Sequence, residues 1–214
     1  MKQIPKLAWF LSLFVLFLNA GSVTAQKVKD IFNSSETPIT YFGVDFSEAR
    51  LIGDAGADAM AVRNYFSSIN QVVVNEPKKY DLSKAFQKSS VATDINAVLE
   101  KSGKVNTEKI LSSNSADASR FSKATVDGVI KGYSYGNHKG VGLLFIMEGM
   151  NKTAQEASIY VTFFDIASKK VLLTERLTGK AGGFGFRNYW ASSIAKVLNT
   201  IQKSKYKEWK SNNS

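Results

Sequence analysis

The sequence predicts one domain of the α/β (α+β) class, with helices packed on a mixed sheet, a C-terminal antiparallel meander and a long C-terminal helix. Three observations lead there. Runs rich in β-branched and aromatic residues stand at Ile39–Phe46 and three times between Val141 and Leu177. Elsewhere apolar residues recur at helical spacing, as in Val62, Tyr65, Phe66 and Ile69, or Trp190, Ile194, Val197, Leu198 and Ile201. The 214 residues are 44% hydrophobic and 12% aromatic, which is enough for one sizeable core and too apolar for a disordered chain.

Residues 1–25 read as an address rather than as part of the fold. Lys2 and Lys6 give a positive start, Leu7 to Leu18 are apolar apart from Ser12, and Val23-Thr24-Ala25 offers small residues to a peptidase. The apolar stretch of about twelve residues falls short of the roughly twenty that span a bilayer, so cleavage near Ala25 is expected over a retained anchor. The mature chain is then periplasmic or extracellular and not an integral membrane protein. Loss of Lys2 and Lys6 takes the formal net charge from +10 to +8.

Residues 26–38 are polar, end in Pro38 and read as an exposed lead-in to a domain over residues 39–203. Within Ile39–Phe46, Gly43 marks a bulge or close approach. Residues 47–57 are a loop, and Asp54 or Asp58 is placed to cap the helix of the Val62 stripe, which ends before Pro77. Short helical segments follow at Tyr80–Gln87 and Thr93–Lys101, and residues 104–118 are the least structured by composition. From Arg120 to Tyr133 the spacing of Val126, Val129 and Ile130 favours a helix, with a strand from Val126 as the alternative because Gly128 weakens it. Val141–Met150, the alternating run around Ile159–Phe164, and Val171–Leu177 are joined by short reversals and make the meander. The Trp190 stripe closes the fold, and residues 204–214 are read as a basic, polar, fraying tail.

The chain has no cysteine, which removes disulfides, thiolate zinc sites, a cysteine nucleophile and a lipid-modified cysteine. An exported chain without disulfides suits a bacterial envelope. One histidine, His138, cannot build a histidine-rich metal site, and no serine sits in a G-x-S-x-G context. No cofactor is implied, and an enzyme is disfavoured though not removed.

Two constellations carry chemistry. Lys180, Gly182, Gly183, Gly185, Arg187 and Asn188 surround a glycine cluster at a helix start, where free N–H groups and cationic side chains can cradle an anion. It is no phosphate-binding Walker loop, since its lysine precedes the glycines. The alternative is a crossover from strand to helix with Phe184, Phe186 and Trp190 packed on the sheet. Asp45, Asp54 and Asp58 gather after the first strand and form a candidate metal or acid–base set, against the alternative of turn acids bonded to local backbone. Lys196, Lys203, Lys205, Lys207 and Lys210 make the end of the chain basic and fit an anionic surface polymer or lipid, or simply a solvated helix end. The lack of arginine in that run, together with export, speaks against nucleic acid.

With its strand, "DIASKK" turn, strand, "GKAGGFGFRNYW" loop and helix, the segment from Tyr160 to Ile201 resembles uncharacterised secreted bacterial proteins carrying a GKxGGFGxRNYW segment. It is also similar, at the level of fold, to small α/β domains of periplasmic assembly factors such as the TolB N-terminal domain and the curli-secretion lipoproteins. The first resemblance implies secretion, the second a fold; neither transfers a catalytic residue. The expected function is that of an exported non-enzymatic protein binding an envelope or extracellular partner. The alternatives are a small-ligand or anion module on the glycine loop and a metal-dependent enzyme using the three aspartates.

Overall fold

The computed structural model describes residues 27–213, so the expected leader and its cleavage near Ala25 lie outside the described residues. Seven strands form one mixed sheet: β1 (Ile39–Asp45), β2 (Arg50–Ile52), β3 (Ala92–Thr93), β4 (Leu111–Ser112), β5 (Val141–Asn151), β6 (Glu156–Asp165) and β7 (Lys170–Lys180). β5 is the axis. Along one of its edges β1 and then β2 pair in parallel, Ile39 opposite Val141 and Leu51 opposite Met150, and act as two halves of one broken strand. β3 and β4 flank those halves on the outside, also in parallel. Along the other edge β6 and β7 complete the antiparallel meander. The expected fold class is thus present, and the two-residue strands β3 and β4 add a parallel margin that no periodicity could signal.

Helices cover both faces. On the first face α1 (residues 27–33), α2 (Ala59–Asn75), α6 (Phe186–Thr200) and α7 (Tyr206–Asn212) pack on Ile39, Tyr41, Phe145, Ile159, Val161 and Phe163. On the second, α5 (Lys123–Lys131) and Val98 of α4 (Asn96–Ser102) cover Phe42, Leu144, Ile146 and Phe164. Asp58 caps α2 by accepting from the N–H groups of Met60 and Ala61 at 2.8 and 3.4 Å. A capping box between Ser122 and Thr125 starts α5, which outweighs the exposed Gly128 and settles helix over strand. α3 (Leu82–Ala85) is a single turn.

β1 is buried on both faces and carries a bulge where its register against β5 shifts between Tyr41 and Val44. Gly43 supplies the required φ of +100°. The buried Asn70 of α2 fills the gap in the ladder. Val44 N–H donates to its Oδ1 at 2.7 Å, and its Nδ2 donates to Val44 O at 2.9 Å. The extra residue reverses the alternation, so that Val44 and Phe46 join Tyr41 on the first face while Asp45 turns to the second.

Both termini differ from expectation. The stretch read as an exposed lead-in contains helix α1, whose Val28, Ile31 and Phe32 are buried. The stretch read as a fraying tail contains α7, reached from α6 through a π-helical turn at Ile201–Lys205, with Tyr206 and Trp209 buried. The ends are ordered by each other. Phe32 packs edge-on against Tyr206 and Phe163, its carbonyl accepts from the Tyr206 hydroxyl at 3.1 Å, and Trp209 lies beside it. Lys27 pairs with Asp165 at 2.5 Å. A few apolar side chains in each polar segment suffice once they bury one another.

Candidate functional site

The glycine loop joins the end of β7 to α6, which are held close by glycine: a Cβ at Gly179 would lie 2.1 Å from the carbonyl oxygen of Ser193. Gly182 N–H donates to Tyr189 O at 3.2 Å and to Ser192 Oγ at 2.7 Å, folding the loop back on the first turns of α6. Gly183 and Gly185 then adopt φ of +104° and +77°, with Gly185 at the N-cap of α6. Between them Phe184 is thrown outward and is 95% exposed. Phe186 stacks on Tyr65 of α2 at 5.0 Å between ring centroids, and Trp190 is fully buried. Of the three aromatic residues expected to pack, one reaches the core, one lies at the rim and one points to solvent.

Tyr65, Phe184, Phe186, Arg187 and Asn188 line a shallow cavity of about 260 Å³. The structure therefore brings Gly185, Arg187 and Asn188 of the expected ligand set to one surface, where Arg187 Nε donates to Asn188 Oδ1 at 3.1 Å. Lys180 belongs to another. It faces the β5–β6 reversal, pairs with Glu156 at 3.4 Å and donates to Ala154 O at 3.3 Å. With the Gly182 N–H already bonded, the loop is an aromatic knuckle beside a cation rather than a closed cradle of backbone donors. The other exposed large apolar side chains among the described residues, Met60 at 49% and Tyr65 at 40%, lie on α2. Lys152 sits 4.6 Å above the ring of Tyr189 and adds positive charge near the loop.

The three aspartates separate by role. Asp45 is fully buried and accepts from the Tyr133 hydroxyl, from Ser47 N–H at 3.1 Å and from Ser47 Oγ at 2.8 Å, with the Lys101 ammonium at 3.6 Å. Burial raises the Tyr133 hydroxyl far above its ordinary range, and the adjacent Asp45 charge adds to this, so the phenol stays a donor. Lys101 also lies 4.1 Å over the Tyr133 ring. Asp58 is occupied in capping α2, and Asp54 lies in the turn before it, where its carbonyl accepts from Ala57 N–H at 3.1 Å. Among the described residues no three His, Asp or Glu side chains gather as a metal site.

Other polar groups went unread in the sequence. Glu148, at a bulge in β5 and fully buried, accepts from Arg176 Nε and from Phe121 N–H, each at 2.6 Å, and so ties β5, β7 and the start of α5 together. A lone charge inside the apolar run Val141–Met150 was the available signal. Lys88 is buried and donates to the carbonyls of Ile31 and Ser34 at the end of α1; burial pushes it down to about 8. Nothing local to Lys88 in the sequence announces that. His138 bonds Asp94 at 2.9 Å, and this bond, with the N–H of Asn96, holds the Asp94 carboxyl below its ordinary range. Both are partly exposed, and the pair closes the turn before β5.

Among the described residues no helix is long and apolar enough to cross a membrane. Compared with known proteins, the chain matches no family model and no curated protein sequence.

Proposed function

We propose that this chain is an exported, non-catalytic binding protein that grips a protein partner through the knuckle formed by the glycine loop and α2. The single observation that carries this is Phe184. A phenylalanine 95% exposed between two glycines of positive φ has no role in the core, and its exposure costs free energy unless something covers it. Tyr65 and Phe186 beside it supply aromatic area at low entropic cost, as at the centres of protein interfaces. Arg187 and Lys152 make the surroundings cationic, so the partner segment is one that offers an apolar side chain flanked by acids. Export rests on the leader read at residues 1–25. No residue set assembled for acid–base or nucleophilic work accompanies the knuckle, and Asp45 is saturated by its own donors.

A photo-reactive phenylalanine analogue placed at position 184 or 65 in the producing cell is expected to yield one discrete adduct, absent when the probe stands at Lys131 on the opposite face. Phe184→Ser is expected to abolish partner capture while leaving the circular dichroism spectrum unchanged. Adducts of equal yield at all three positions, or capture untouched by Phe184→Ser, would remove the reading.

A further inference from the structure

We infer that the outer ridge of α6 carries a second binding surface, for a linear acidic glycan whose carboxylates are met by Lys78, Lys79, Lys84, Lys180 and Lys196. Two clefts flank this ridge. One, of about 190 Å³, opens toward α3 and is lined by Lys78, Lys79 and Lys84 together with Asp81, Asn199 and Gln202. The other, of about 410 Å³, opens toward the end of β7 and is lined by Lys180 and Lys196 with Asn199, Thr200 and one carboxylate, Glu156. Asn199 belongs to both, so an extended ligand can cross the helix from one cleft to the other without leaving the surface. Neither cleft shares a lining residue with the Phe184 knuckle.

The charges are unbalanced in a way that favours an anion. Lys79 and Lys180 have carboxylate partners, Glu76 at 3.9 Å and Glu156 at 3.4 Å, and Asp81 is bonded to the backbone N–H of Lys84 as a helix cap. Lys78, Lys84 and Lys196 are exposed and carry no ion pair among the described residues. Ammonium groups on long stems suit scattered carboxylates; the bidentate fork of arginine, better suited to phosphate, is absent from both clefts. Asn199, Gln202 and Thr200 supply neutral donors and acceptors of the kind that sugar hydroxyls bond. A bilayer is the poorer fit, because the exposed large apolar side chains that would enter it, Met60, Tyr65 and Phe184, all lie outside the two clefts.

The test is calorimetric titration of the purified protein with an oligogalacturonate at low and at physiological salt. Saturable binding that weakens as salt rises is expected. Lys84→Ser with Lys196→Ser, one change in each cleft, is expected to weaken it by about four- to ninefold, as two exposed charge contacts of about two- to threefold each are removed. Lys131→Ser with Lys139→Ser, an equal loss of charge elsewhere, is expected to change it by less than about twofold. All four positions are exposed, so folding is unaffected. Absence of binding, or equal weakening in both double variants, would overturn the inference. So would binding to phosphatidylglycerol vesicles that depends on Lys84 and Lys196 in a protein that ignores the oligogalacturonate.

Discussion

Replacing Asn70 by leucine, which keeps the branched outline of the side chain but exchanges the amide for two bulkier methyl groups, removes what the buried amide does for the bulge in β1, with any overpacking adding to the loss. The substitution leaves Val44 N–H without its acceptor at 2.7 Å and Val44 O without its donor at 2.9 Å, in a strand to which water has no access. Each orphaned backbone group costs about 1–3 kcal/mol, so the two together cost about 2–6 kcal/mol. With a urea slope of about 2 kcal/mol per molar, the unfolding midpoint falls by about 1–3 M. Trp190 and Trp209, both buried, report the transition by fluorescence. Asn70→Asp keeps an acceptor for Val44 N–H but brings an unpaired charge to a site without water, and is expected to lose at least as much. The bulge also sets which way Asp45 faces, so the leucine variant should weaken the Tyr133 contact, visible in the tyrosine absorbance of the folded protein. A loss under about 1 kcal/mol would refute the reasoning, since it would mean that the bulge survives without the amide.

Phe32→Ala removes a ring packed against Phe163, Tyr206 and Trp209 and is expected to destabilise the protein by about 3–5 kcal/mol in the same urea assay; a near-neutral result would show α1 to be undocked. Arg176→Met leaves Glu148 buried without its cation and is expected to cost about 3–5 kcal/mol, part of which Glu148→Leu in the same chain restores; equal stability of single and double variants would contradict a buried pair. For Lys88, whose folded value of about 8 lies below the roughly 10.4 of an unfolded lysine, the unfolded state holds the proton between those values and the folded state releases it. Stability relative to Lys88→Met should therefore rise from about pH 7.5 to about pH 9, and a difference that stays flat or falls over that window would refute the assignment.

The sequence by itself determined the elements with a strong period: the meander, α2 and α6, and the place of the glycine loop between β7 and α6; α5 it left open against a strand. Those signals are local, because a strand or helix that buries one face must repeat its apolar residues at 2 or 3.6 residues wherever it sits. It also marked Asp45 as a candidate at the end of an apolar strand, whereas Glu148, an equivalent charge inside Val141–Met150, was not singled out. Only the tertiary structure decided what these groups do. Asp45 is the acceptor of Tyr133, eighty-eight residues away in sequence, because one bulged residue turned it to the second face. The polar ends, at residues 27–33 and Tyr206–Asn212, became core because Phe32, Tyr206 and Trp209 found one another, a contact that no window of sequence contains. Phe184 went the other way: the crossover alternative packed it on the sheet, and the two positive-φ glycines beside it sent it into solvent. Contacts between residues far apart in the chain are set by the summed packing of all elements, so they become legible only once the fold has closed.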